Sequence, residues 1–180
     1  MGEYAAFLRG MNLGRRRITN QELAAAFTEI GFTQVRTFRA SGNVAFEARG
    51  EPPEGLVARI ESGLAGALGY AVPTFLRRAE EVCEIAAYAP FPPALVTGSA
   101  GKLQVGLLAR DPGADGRDAA LALSSERDRL SLGGRELYWL PDGGISESEL
   151  DLKAVERALG PMTIRTMGTL EQMARKHFAD

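Results

Sequence analysis

The feature that most constrains the fold is the order of apolar patterns along residues 1–78. Four short runs have the length and composition of β-strands; they lie at residues 3–8, 35–39, 44–48 and 71–76. Between the first and second runs, and again between the third and fourth, apolar residues recur at the spacing of an α-helix. The order β-α-β-β-α-β predicts a split βαβ unit, the ferredoxin-like arrangement, with both helices on one face of an antiparallel sheet.

Local turn and capping signals place the ends of these elements. Thr19 and Glu22 have the spacing of a capping box, and Gly31 and Gly69 follow the last apolar residue of each helix. The segment Ser41-Gly42-Asn43 has the composition of a tight turn, because glycine and asparagine tolerate a positive φ. It predicts a hairpin between the second and third strands.

The same order of elements is predicted again after residue 101. Residues 79–101 comprise a predicted helix at 79–88 and then a linker rich in proline and glycine. The elements predicted beyond the linker are a strand at 102–109, a helix at 114–123, a hairpin at 128–140 around Gly133-Gly134, a helix capped by Ser146 and Glu149, a strand at 163–166 and a helix capped by Thr169 and Gln172. The predicted class is therefore α+β, with ferredoxin-like subdomains at 1–78 and 102–180 joined by residues 79–101.

The composition excludes several kinds of chemistry. Cys83 and His177 are the only cysteine and the only histidine, which excludes an internal disulfide and argues against zinc sites, Ser-His triads and Cys-His dyads. We therefore expect no metal site. No apolar run is long enough to span a bilayer, and the N-terminus lacks the pattern of a signal peptide. These features predict a cytoplasmic protein with no membrane partner.

Two turns at one end of the predicted first sheet form a candidate site. In a split βαβ unit, the loop after the first strand and the hairpin between the second and third leave the sheet at the same end. Glycines in both turns can present backbone N–H groups to an anion, and arginine side chains supply donors suited to phosphate or carboxylate. The residues that we predict to bind an anion are Arg9, Gly10, Asn12, Gly14, Arg15, Ser41, Gly42 and Asn43.

The charged residues in this region are mostly positive. Residues 1–49 hold seven Arg against four Glu, and no Asp or Glu occurs at residues 5–20 or 36–45. The lack of carboxylates argues against metal-assisted phosphoryl transfer or hydrolysis, and no general base accompanies Ser41. A structural interpretation stays open beside the anion site. In it the glycines merely permit tight turns, and the polar side chains hydrogen-bond the nearby backbone.

Several motifs resemble the signature of a widespread bacterial family of unknown function. In the N-terminal half they are Leu-Arg-Gly-Met-Asn-Leu-Gly at residues 8–14 and Ser-Gly-Asn-Val-Ala-Phe at residues 41–46. Near the C-terminus the family pattern is Ser-Lys-Leu and then Thr-x-Arg-Asn-Trp-x-Thr, whereas this chain has Glu149, Thr166 and Met167 at the Lys, Asn and Trp positions. The resemblance implies an α+β fold of two subdomains and brings no established activity or cofactor. Ser148 and Arg165 are kept in the second motif, so they are secondary candidates for a site.

The leading hypothesis is a protein that binds a small ligand bearing phosphate or carboxylate groups at the two turns. One alternative is a nucleic-acid-binding module, which the net charge of −2 disfavours. Another is a transferase or hydrolase whose base comes from the C-terminal half or from a dimer partner. A homodimer formed through an exposed sheet edge is a further open alternative. The residues identify no cofactor and establish no enzyme activity.

Overall fold

A computed structural model describes residues 1–11 and 17–179 of the chain. The first half contains strands β1 (Gly2–Leu8), β2 (Thr33–Phe38), β3 (Asn43–Ala48) and β4 (Thr74–Arg78), and helices α1 (Asn20–Glu29) and α2 (Pro53–Leu68). The strands form one antiparallel sheet in the order β2-β3-β1-β4. This is the order that the β-α-β-β-α-β pattern predicts, with β3 lying antiparallel between β1 and β2.

Both helices pack on the same face of this sheet. Alternate residues of β1, namely Tyr4, Ala6 and Leu8, share a core with α1 and α2. Because successive strand side chains point to opposite faces, Ala5 and Phe7 lie on the other face, and both are buried. The capping box is confirmed: the N–H of Thr19 donates to the Glu22 carboxylate over 2.7 Å, and Thr19 Oγ1 accepts from the N–H of Glu22.

The second half repeats this arrangement after two intervening helices, α3 (Ala79–Ala87) and α4 (Pro93–Gly98). Its elements are β5 (Gln104–Leu108), α5 (Gly113–Leu121), β6 (Asp128–Leu132), β7 (Glu136–Pro141), α6 (Leu152–Leu159), β8 (Met162–Thr166) and α7 (Met167–His177). The sheet order is β6-β7-β5-β8, again antiparallel. The predicted α+β class and the repeated order of elements are confirmed.

Helix α4 was not predicted; it lies within the segment predicted as linker and begins at Pro93, since proline at the first helical position loses no hydrogen bond. Two local predictions were wrong. The Ser146–Glu149 capping box does not start α6; residues Ile145–Glu147 form a short 3-10 helix, and Asp151 caps α6 by accepting from two backbone N–H groups. Helix α7 follows β8 directly, so Thr169 lies inside it, and Thr166 Oγ1 accepts from the N–H of Thr169.

The strands of the two halves pair in equivalent registers. Leu8 is opposite Thr74 on β4, and Leu108 is opposite Met162 on β8. The residues that follow β1 and β5 also make equivalent hydrogen bonds. The N–H of Arg9 donates to the carbonyl of Pro73 over 2.9 Å, and the N–H of Ala109 donates to the carbonyl of Pro161 over 3.2 Å. We call the β1–β4 sheet with α1 and α2 repeat 1, and the β5–β8 sheet with α5 and α6 repeat 2.

The chain consists of two compact units, Met1–Cys83 with Met173–Asp180, and Glu84–Gln172. The end of α7 thus belongs to the same unit as repeat 1. The boundaries predicted from the sequence at residues 78 and 101 stay a prediction beside this grouping. Across the described residues, no helix combines the length and the apolar character needed to cross a bilayer.

Candidate functional site

The two predicted turns meet at the end of β1. The backbone N–H of Leu8 donates to the carbonyl of Gly42 over 2.8 Å. A Cβ atom placed on Gly42 would lie 3.0 Å from Leu8 Cβ and 3.0 Å from Met11 Cγ, so the two segments are in close contact there. The prediction that the loop after β1 lies beside the β2–β3 hairpin is therefore confirmed for the start of that loop, up to Met11, and it follows from the strand order.

The hairpin between β2 and β3 is fixed by Asn43. Its side chain is fully buried, and Nδ2 donates to the Phe38 carbonyl over 2.9 Å and to Ser41 Oγ over 2.8 Å. Arg39 and Gly42 have φ values of 57° and 72°, so the turn has a left-handed residue at each end. Asn43 is thus a structural residue of the turn, and the Ser41 hydroxyl accepts a hydrogen bond from it.

On the β1 side, Arg9 and Gly10 are the predicted site residues that the structure describes. Arg9 is exposed, and Gly10 has a φ of 78°; no described residue lies within 4 Å of the position that a Cβ on Gly10 would occupy. A positive φ at Gly10 turns the backbone sharply at the end of β1. The remaining predicted residues of this loop, Asn12, Gly14 and Arg15, lie outside the described residues.

The last turn of α7 adds cationic side chains beside the hairpin, which the sequence reading missed. Lys176 Nζ lies 5.9 Å from the centre of the Phe38 ring, and the Arg39 guanidinium carbon lies 5.5 Å from it. The imidazole of His177 meets the same ring edge-on at 5.8 Å. Burial lowers the pKa of His177, and the charges of Arg36 and Lys176 lower it further.

At the equivalent end of repeat 2, side chains of the same repeat hydrogen-bond the hairpin. The N–H of Leu108 donates to the backbone carbonyl of Arg135, just as the N–H of Leu8 donates to the carbonyl of Gly42. Arg117 of α5 then donates through Nη1 to the carbonyl of Gly133 and through Nη2 to that of Gly134, each over 2.5 Å. Arg117 Nη2 also lies 3.1 Å from the carboxylate of Asp111.

Asp111 is held ionised in this arrangement. The backbone N–H of Gly113 and, second, the guanidinium of Arg117 lower the pKa of Asp111. The guanidinium therefore has two carbonyls and one carboxylate as partners, all from its own repeat. The carbonyls of the Gly133-Gly134 turn in repeat 2 therefore have a cationic partner within the same repeat.

We expect Arg117→Ala to lower the free energy of unfolding by about 1–2 kcal/mol, because two hairpin carbonyls lose their charged donor. Chemical denaturation followed by circular dichroism measures it. Arg157, exposed on α6 and 3.8 Å from Asp151, provides the control variant Arg157→Ala. Equal effects of the two substitutions would show that Arg117 contributes no more than a surface ion pair.

The secondary candidates Ser148 and Arg165 have structural partners. Ser148 Oγ donates to Asp128 Oδ1 over 2.6 Å. Arg165 Nη1 donates to Thr163 Oγ1 and to the Ile164 carbonyl, and burial lowers the pKa of Arg165 to about 10, so it remains a cation at neutral pH. Within the described residues, no group of three or more His, Cys, Asp or Glu side chains is arranged to hold a metal ion.

Asp128 is a buried carboxylate that the sequence reading did not single out. It is 2% exposed and accepts three hydrogen bonds, from Trp139 Nε1 at 2.8 Å, from Ser148 Oγ, and from the N–H of Glu149 at 3.3 Å. These bonds tie the segment before α6 to the β6–β7 hairpin. The Ser148 hydroxyl therefore serves the packing of repeat 2.

An open groove of about 470 Å³ lies between α1 and α2, away from the two turns. It is lined by residues of both helices, including Ile30, Arg59 and Gly63. The Arg59 guanidinium donates to the Ile30 carbonyl and pairs with Glu51 at 3.3 Å. The groove lies where Gly63, which has no side chain, faces Ile30. It is therefore a feature of helix packing.

These observations define an α+β protein of two equivalent β-α-β-β-α-β repeats whose hairpin ends differ in charge. The chain belongs to the family of proteins of unknown function DUF1697, whose model matches residues 1–138. Its structure is similar to that of the conserved bacterial protein SP0830 from Streptococcus pneumoniae, with a TM-score of 0.71 and 19% sequence identity, covering 98% of this chain and 99% of that one. At this identity the similarity shows the fold alone. No curated protein matches the chain.

Proposed function

We propose that the protein binds a small ligand bearing phosphate or carboxylate groups where the loop after β1 meets the β2–β3 hairpin. The observation that carries the proposal is the difference between the two repeats. At the hairpin end of repeat 2, the Arg117 guanidinium bonds two carbonyls of the turn and pairs with the carboxylate of Asp111. The corresponding segments of repeat 1 contain arginines and no acidic residue.

The backbone conformation of repeat 1 supports the proposal of an anionic ligand. Gly10 and Gly42 both have positive φ and lie in the two segments joined by the Leu8–Gly42 hydrogen bond. Turns with left-handed residues can point successive N–H groups into one concavity, which suits an anion. The exposed arginines Arg9 and Arg17 flank this loop and provide fork-shaped donors.

Nucleic-acid binding has less support. The aromatic side chains on β1 and β3, namely Tyr4, Phe7 and Phe46, are at most 5% exposed. Base stacking on a sheet requires exposed aromatic rings. The net charge of −2 also gives little of the electrostatic attraction on which such binding depends.

Isothermal titration with phosphate, pyrophosphate, citrate and nucleotides tests the proposal. We expect at least one ligand to bind, and Arg9→Ala to weaken that binding about tenfold, the effect of losing one charge-assisted hydrogen bond. Arg110→Ala is the matched control, because Arg110 is an exposed arginine in the corresponding loop of repeat 2. Absence of binding across the panel, or equal losses in the two variants, would reject the turn site.

A further inference from the structure

A second cationic surface lies beside the hairpin on the other side of the sheet. It consists of Arg36, Arg39, Lys176 and His177 around the ring of Phe38, and we call it the Phe38 surface. Phe38 is opposite Asn43, which is itself opposite Phe7, so Phe38 lies on the face that does not carry α1 and α2. The Phe38 surface is therefore separate from the close contact of Gly42 with Leu8 on the helix-bearing face.

The cations of this surface are accessible while the ring beneath them is not. Arg36, Arg39 and Lys176 are exposed, whereas Phe38 is 8% exposed. The ring is therefore a support for the cationic side chains and is too covered to stack on a base or another flat ligand. Ring faces attract such cations with modest energy, which helps to hold Arg39 and Lys176 beside Phe38.

Two features of the surface are unfavourable in the protein alone. Arg39 has a left-handed φ of 57°, a conformation that is unfavourable for a residue with a Cβ atom. His177 Nε2 is buried and has no hydrogen-bond partner among the residues that the structure describes. Backbone conformations of this kind persist where the surrounding structure enforces them, and they cluster at binding sites.

Positive charges act on His177 from two elements, β2 and α7. Arg36 and Lys176 lower the pKa of His177, in addition to the larger effect of burial, so their positive field is felt at the imidazole. Glu3 is an acidic partner of this surface: its carboxylate lies 3.8 Å from Arg36 Nη2, and both side chains are half exposed. Glu47 is opposite Glu3 at the far end of the strands. An exposed pair of this kind screens little of the cationic field.

We propose that the Phe38 surface is a second binding site, for the phosphate groups of a small oligophosphate such as pyrophosphate. Arg39 and Lys176 approach the ring from the hairpin and from α7, and they would contact different phosphate groups. Arginine suits bidentate contact with phosphate, and lysine acts as a compact point charge beside it. This inference does not depend on the proposed turn site, because the two sites share no charged side chain.

The sole histidine makes the proposal directly testable. His177 gives the only imidazole signals in the proton NMR spectrum, so its pKa can be measured in the wild-type protein without assignment. A bound anion beside Arg36 and Lys176 offsets their field and raises the pKa of His177. We expect pyrophosphate to raise that pKa saturably, and sodium chloride at matched ionic strength to leave it nearly unchanged.

Substitutions that remove charge but keep the backbone conformation test whether the cationic side chains bind pyrophosphate. Arg39→Asn keeps a residue that tolerates the left-handed backbone, and we expect it to weaken pyrophosphate binding at least about fivefold. Lys176→Gln should act in the same direction, and Glu3→Gln should tighten binding because a competing carboxylate is lost. Lys153→Gln on the exposed side of α6 is the control.

Three outcomes would overturn the proposal. The first is the absence of a saturable change in the His177 signals with pyrophosphate. The second is an equal loss of affinity in Arg39→Asn and Lys153→Gln. The third is a single-stranded oligonucleotide that binds more tightly than pyrophosphate and displaces it, which would assign the surface to nucleic acid. Arg9→Ala distinguishes the two proposals, since it should weaken binding at the turns and leave the His177 response intact.

Discussion

Asp128→Ala is expected to lower the free energy of unfolding by about 3 kcal/mol, because it removes a buried charged acceptor and leaves its donors unsatisfied. Trp139 Nε1 is one of these donors, on a side chain that is 2% exposed in the core of repeat 2. The Ser148 hydroxyl and the N–H of Glu149 are the others. Urea denaturation followed by Trp139 fluorescence measures both the stability and the environment of the indole.

A double-mutant cycle shows whether the loss comes from these hydrogen bonds. Trp139→Phe removes the indole donor, so combining it with Asp128→Ala should cost less than the sum of the two single effects. Asp118→Ala, at an exposed position of α5, is the control and should change stability by no more than about 0.5 kcal/mol. An Asp128→Ala effect as small as that of the control would mean that water replaces the carboxylate.

The same buried carboxylate explains an error in predicting α6 from sequence. Ser146 and Glu149 have the spacing of a capping box, but the segment containing them is held by Asp128, more than fifteen residues earlier in the chain. Asp151 then becomes the cap, because it is the next acceptor in position to bond the free N–H groups of α6. A local motif carries no information about such a long-range partner.

Patterns that depend only on neighbouring residues were sufficient for most of the fold. The capping box at Thr19, the glycine stop at Gly69 and the hairpin at Gly133-Gly134 all appear where the sequence places them. The meeting of the two turns also followed, because strand order determines which loops share an end of a sheet. These predictions succeed since each rests on backbone geometry that one or two residue types determine.

The Phe38 surface could not be found in this way. Arg36 and Arg39 are adjacent to the predicted site in sequence, but Lys176 and His177 come from the opposite end of the chain. Their placement depends on the end of α7 joining the unit that contains repeat 1. No periodicity in α7 specifies that partner.

The turn contact at Gly42 provides the second large expected effect. We expect Gly42→Ala to lower the free energy of unfolding by about 2–3 kcal/mol, since a positive φ and steric overlap act together. The added methyl group would lie 3.0 Å from atoms of Leu8 and Met11, both of which are buried side chains with little room to move. Thermal and urea denaturation measure the change.

Gly50→Ala separates the two contributions. Gly50 has a φ of 74°, nearly that of Gly42, but nothing lies within 4 Å of the position that its Cβ would occupy. It should therefore show only the backbone cost of about 1–2 kcal/mol. The excess for Gly42→Ala reports the closeness of the hairpin to the end of β1, on which the proposed turn site depends. If both variants lose the same stability, Gly42 is not in close contact with the end of β1, and the proposed turn site loses the geometry on which it depends.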